Sequence, residues 1–235
     1  MNTSPVTVRA SGLDREAMAR RVSAMLCLSL MFVLVVGLAH WTHGFEVWTF
    51  EGRREAQVQA GELRARAVPL RAIDGSLLRL WGDADVVPAA YLVDFVYTRC
   101  PSVCRALGSE YQRMQRELDS RQESEPTLRD VHLVSISFDV EHDQPARLGR
   151  YAAEMRADPA YWTLAVPATH DDALALLRSL AVVVVPDGEG GFVHNGAIHL
   201  LDERGRLRGL FEFDQWPQAL AAAHRLAATR RGGAQ

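Results

Sequence analysis

Eighteen consecutive uncharged residues, Val22 to Ala39 (VSAMLCLSLMFVLVVGLA), constrain this chain more than any other stretch. As a helix rising ~1.5 Å per residue, the run covers roughly 27 Å, close to the hydrocarbon thickness of a bilayer. Arg20 and Arg21 precede it, and Trp41 and Trp48 follow it, as a basic inner flank and an aromatic interface belt would. The expected topology is a single-pass anchor in an inner, cytoplasmic-type membrane. Residues 1–21 stay in the cytoplasm, 22–39 span, and the main domain lies in the periplasm or an equivalent exported space. A cleavable signal peptide is the competing reading. Against it stand the long polar lead-in, the length of the apolar run and the lack of a clean A-x-A site. Cys27 falls inside the span, as a lipid-facing or helix-packing thiol.

The rest divides into a polar tether over 40–67, one domain over 68–230 and a short tail, 231–235. A net charge of -3 leaves no basic excess for neutralising phosphates, so no nucleic-acid partner is expected. Asp74-Gly75 signals a turn before the apolar stretch Ser76 to Trp81. Tyr91 to Tyr97 and Asp130 to Phe138 read as strong strands. Pro101 suits a first helical position, and Val103 to Leu118 continues as an amphipathic helix. A helix over Pro145 to Met155, a strand over Trp162 to Val166, a helix over Asp171 to Leu180 and an apolar run over Val182 to Val185 follow. Ala197 to Leu201 and Leu207 to Phe213 flank Glu203-Arg204-Gly205 as a β-hairpin, and Gln215 to Thr229 closes as a helix. The order is that of an α/β, thioredoxin-like core behind an N-terminal transmembrane helix.

Cys100 and Cys104 stand at the junction of a strand and a helix, one helical turn apart. Unsatisfied amides and the positive end of the helix dipole stabilise thiolates there, with Arg99 and Arg105 adding charge. Export places the pair in an oxidising compartment, where a stabilising disulfide is the commonest outcome. A bridge across so short a loop, however, removes little unfolded-state entropy. Spacing alone leaves metal binding and redox exchange both open. A third ligand would shift the balance toward metal: two thiolates and an imidazole form a soft set for Cu(I) that also tolerates Cu(II). His194, in the turn-rich segment Gly190 to Gly196 before the hairpin, is the candidate. Position alone leaves it open between a ligand and a solvated loop side chain.

Tyr97-Thr98-Arg99-Cys100-Pro101-Ser102-Val103-Cys104 resembles the YTxCPxxC motif of the SCO/SenC family of copper-binding, membrane-tethered proteins. Ser137 to Pro145 (SFDVEHDQP) is similar to that family's SxDPxxDxP segment, and Phe192-Val193-His194-Asn195 takes the place of its VDHS motif. The resemblance covers roughly residues 70–230. It implies copper, as Cu(I) or Cu(II), bound by Cys100, Cys104 and His194. It further implies a metallochaperone that takes copper from a donor protein and delivers it to, or prepares, the copper centre of a haem-copper (cytochrome c) oxidase subunit. Arg105, Val193 and Asn195 depart from the family's Pro, Asp and Ser at those places. The enzyme-class alternative is a thiol-disulfide reductase in which Cys100 attacks and Cys104 resolves. A copper- or redox-responsive signalling protein would use the same residues.

Three further expectations concern polar residues. Asp94 lies inside the central strand, either buried near the cysteines or hydrogen-bonded as a strand carboxylate. Asp139 and Asp143 read as caps of the following helix. His199, opposite in strand parity to Ile198 and Leu200, faces solvent or a second layer.

Overall fold

The computed structural model describes residues 10–41, 50–82, 88–100, 103–188, 191–194 and 196–233. Two units divide the chain, Met1–Arg53 and Arg54–Gln235. Helix α1 (Ala10–Trp41) dominates the first. It starts ahead of the apolar run because Ala, Leu, Arg, Glu and Met between residues 10 and 21 are good helix formers. The segment Ala17–Trp41 is long and apolar enough to cross a membrane, and none of it is buried. Its apolar side chains, Met25, Leu28 and Phe32 among them, are exposed all round, as a lipid-facing helix requires. Trp48, expected in the interface belt, lies outside the described residues.

Helix α2 (Phe50–Gln59) falls in the stretch read as a tether. Thereafter come β1 (Leu70–Ala72), β2 (Leu77–Leu78), β3 (Ala90–Val96), α3 (Val103–Arg121), β4 (Val131–Ser137) and α4 (Pro145–Glu154). The chain continues through β5 (Trp162–Pro167), α5 (His170–Ser179), β6 (Val184–Pro186), β7 (Phe192–His194), β8 (Ile198–Asp202), β9 (Leu207–Phe211) and α6 (Trp216–Gly233). Seven strands form one sheet in the order β2-β1-β5-β4-β3-β8-β9. β5, β4 and β3 run parallel, and β8 pairs antiparallel with β3. This is a thioredoxin-like sheet, extended at one edge by the β1–β2 hairpin.

All seven residues of β3 are buried, which explains its nearly continuous apolar run: a parallel central strand is covered on both faces. On one face Leu107, Tyr111, Met114 and Leu118 of α3, spaced along one helical side, pack with Leu148 of α4 and Ala219 and Leu220 of α6. The other face holds Tyr91, Val93 and Phe95 of β3 against Leu176 and Leu177 of α5 and Trp81. Two glycines are required by geometry. A Cβ on Gly108 would lie 2.6 Å from Met155 Sδ, so α3 approaches α4 closely there. Gly205 turns the β8–β9 hairpin at φ +76, under the Trp81 ring.

The structure corrects the placement of His194 and decides that of His199. His194 ends strand β7, which pairs with β6 in a separate two-stranded ribbon, Val184 opposite His194 and Val185 opposite Val193. At the end of that ribbon Asp187 N–H donates to Gly191 O, and Gly191 N–H to the Asp187 carboxylate. His199 faces the second layer and not solvent, being only 1% exposed. Its ring meets Phe95 edge-on at 5.2 Å.

Candidate metal centre

The site forms where the end of β3 meets the β6–β7 ribbon. Tyr97, just beyond β3, donates its hydroxyl to Phe192 O (3.2 Å) and accepts the Phe192 N–H (3.1 Å). This two-way bond ties the ribbon to the turn that carries Cys100. Cys100 N–H in turn donates to Tyr97 O at 3.1 Å. Phe138, beyond β4, stacks at a tilt on Tyr97 and edge-on against Phe192.

His194 faces these rings, and Cys100 lies in the turn that begins at Tyr97. The half-buried Cys100 packs against the core cluster that contains Tyr97 and Phe138. The His194 ring centroid lies 5.3 Å from Phe138 and 6.4 Å from Tyr97. Alternation along β7 turns His194 inward and leaves Val193, where the family has Asp, 66% exposed. Cys104 is the second residue of α3, so its backbone lies in the first turn, at the positive end of the helix. Its side chain, that of Arg105, and Pro101, Ser102 and Asn195 lie outside the described residues. Among the described residues no three His, Cys, Asp or Glu side chains converge as a metal cluster. Tyr97 thus joins the two segments: its carbonyl accepts the Cys100 N–H, and its ring lies against His194.

The donor chemistry suits a soft metal. Burial holds the His194 imidazole below its ordinary pKa, which keeps it neutral at pH 7 and spares it competition from protons. A thiol and an imidazole set among Tyr97, Phe138 and Phe192 suit Cu(I), which favours sulfur and nitrogen in apolar surroundings.

Sequence reasoning missed the partners of Thr98 and Arg99. Asp139 and Asp143, read as caps of α4, do not cap it: the N-cap is Gln144, without a side-chain bond. Asp143 is fully buried and receives Thr98 N–H (2.7 Å), Thr98 Oγ1 (2.5 Å) and Ser137 Oγ (2.6 Å). Asp139 takes Arg99 Nη2 at 2.9 Å and contacts His142 Nδ1 at 2.9 Å. Burial pushes the Asp139 carboxyl up, but these two partners outweigh it and leave it below its ordinary value. Much of the Arg99 charge, expected to act on the cysteines, is therefore spent on Asp139. The signal in the sequence was the spacing of the two aspartates, four residues apart in a turn and able to reach the preceding strand's exit.

Asp94 is buried on the α3 face of β3, and neither carboxyl oxygen has a hydrogen-bonding partner among the described residues. Desolvation pushes its pKa up to about 7, the nearby Ser135 hydroxyl offsetting only part of the effect. Of the two expectations for Asp94, the burial is observed.

Comparison with known proteins identifies the family and supports the fold. The family model described as SCO1/SenC matches residues 79–229, more than half of the chain. A SCO1 protein homolog of Bacillus subtilis (strain 168) is 25% identical over 119 residues, 50% of this chain and 58% of that protein. The chain thus matches less than two thirds of that relative's length. ScoI of Bradyrhizobium japonicum, solved with copper bound, superposes with a TM-score of 0.56 at 24% identity, covering 69% of this chain and 99% of that one. BsSco, described as a member of the Sco family of cytochrome c oxidase assembly proteins with a disulfide switch, gives a TM-score of 0.59 at 17% identity, covering 71% and 94%. With the family model matched over more than half of its length, the chain belongs to the SCO1/SenC family.

Proposed function

We propose that this chain is a membrane-anchored copper carrier in which Cys100, Cys104 and His194 hold the metal. The observation carrying this reading is that Tyr97 serves both residues, far apart in sequence: its carbonyl accepts the Cys100 N–H at 3.1 Å, and its ring centroid lies 6.4 Å from that of His194. Family membership and the copper-bound ScoI relative support the identity of the metal. Copper is cargo: it arrives from a donor protein and leaves for the copper centre of a haem-copper oxidase subunit. The soft, low-coordinate set binds Cu(I) while leaving an open side for transfer. The single N-terminal helix anchors the carrier in the inner membrane, with Arg20 and Arg21 on the cytoplasmic side and the domain in the periplasm.

The disulfide switch described for BsSco favours a second reading, in which Cys100 and Cys104 exchange with a partner's disulfide. Chelator competition on the reduced full chain in detergent separates the two. One Cu(I) per chain is expected, and His194→Ala should weaken it by roughly a hundredfold, the upper end of what even second-shell changes cost. Negligible copper uptake together with rapid exchange against a protein disulfide would replace the carrier with the reductase.

A further inference from the structure

Thr98 and Arg99, the two residues before Cys100, are each held by a carboxylate from the segment following β4. Asp143 grips Thr98 through both its backbone N–H and its hydroxyl, one carboxylate oxygen to each. Ser137 completes the grip: its hydroxyl donates to Asp143 and accepts Asp139 N–H at 3.2 Å. Asp143 N–H returns to Asp139 O at 2.8 Å, so the two aspartates form one folded turn. The β3 exit and this turn also meet directly, Phe138 N–H donating to Val96 O at 3.1 Å.

We propose that Asp143, through Thr98, is the positioning residue that fixes the Cys100 turn for metal binding. The proposal rests on the copper-carrier reading for its purpose, while the mechanical claim stands on the turn alone. Three features argue for a positioning role over a cap or a surface ion pair. The carboxylate is fully buried, so its three donors replace water entirely, and each lost bond costs its full desolvation. Its donors include the backbone of Thr98, two residues from the sulfur, so the grip is on the main chain and transmits position directly. The helix that follows it, α4, draws no cap bond from Asp143, which leaves Thr98 and Ser137 as the groups it serves. The Arg99–Asp139 pair is the outer half of the arrangement. Arg99 is 37% exposed, and an ion pair so open to water is the weaker half.

The test uses the full chain in detergent with Cys27 and Cys104 replaced by Ser, which leaves Cys100 as the thiol that reacts. Asp143→Asn and Thr98→Val should speed Cys100 alkylation about tenfold, the factor for one lost hydrogen bond. Thr98→Ser, which keeps the hydroxyl, should react like the parent. With all cysteines restored, the same two substitutions should weaken Cu(I) binding about tenfold, as loss of a second-shell bond does. Thr98→Val carries the test should Asp143→Asn fail to fold. Unchanged alkylation in Thr98→Val would overturn the proposal, whatever its effect on thermal stability. Faster alkylation in a chain whose parent binds no copper would uphold the turn's grip and overturn the copper-carrier reading instead.

Discussion

Asp94→Asn is expected to change stability relative to the native chain by about 4 kcal/mol between pH 4 and pH 8, in favour of the variant at high pH. A carboxyl whose folded pKa stands near 7, against an ordinary 3.8, keeps its proton in the folded state after the unfolded chain has lost it. The Asp94 contribution to folded stability therefore falls as pH rises from about 4 to 7 and is level above that. Asn fills the same space and has no proton to lose, so it removes this slope. Two histidines, one buried and one partly so, act in the opposite sense. Burial lowers His199 to about 3 and His132 to about 4, both from 6.5. Their contribution is fully present above pH 6.5 and lost as pH falls through the folded values. Both are shared by native chain and variant, so the difference between the two isolates Asp94. Urea unfolding followed by tryptophan fluorescence over this pH range measures it. A difference that stays constant with pH would show that Asp94 ionises as freely in the folded protein as outside it.

Arg54→Ala is expected to cost about 2–4 kcal/mol in the same unfolding experiment, because it orphans two buried acceptors. The Arg54 side chain is only 4% exposed. Its Nη2 lies 2.6 Å from His199 Nε2, and its Nε donates to Leu180 O at 3.3 Å. On the far side of the ring, Nδ1 lies 3.1 Å from Val93 O, a pure acceptor, so Nδ1 carries the proton and Nε2 receives the guanidinium. His199 remains neutral in this setting, chiefly through desolvation and then through the Arg54 charge. The bond docks α2 onto the sheet at Arg54. Arg54→Lys, with one compact donor group in place of a fork, should recover only part of the loss. An unchanged urea midpoint for Arg54→Ala would mean that α2 is not held to the sheet.

Much of this fold is legible in the sequence, for identifiable reasons. β3 and β4 declare themselves because a central parallel strand is buried on both faces and needs unbroken apolar character. α3 declares itself through the spacing of Leu107, Tyr111, Met114 and Leu118. The β6–β7 ribbon does not, because strands of three residues carry too little alternation to separate from a loop. His194 was therefore singled out with its setting misjudged: it is a strand residue against an aromatic wall. Arg54 was invisible for a different reason. A lone arginine in a polar stretch looks solvated, and only the tertiary position of His199 gives it a buried partner. Asp143 shows the limit of local rules. An aspartate two residues before Pro145 satisfies every cue for a helix cap, yet a main-chain donor 45 residues earlier in sequence claims it.

The most direct test of the copper account is X-ray absorption at the copper edge on the reduced, Cu(I)-loaded full chain. The account predicts two sulfur neighbours and one imidazole nitrogen per copper, with the nitrogen lost and both sulfurs kept in His194→Ala. A copper bound by sulfur alone in the native chain, or by nitrogen and oxygen alone, would contradict it.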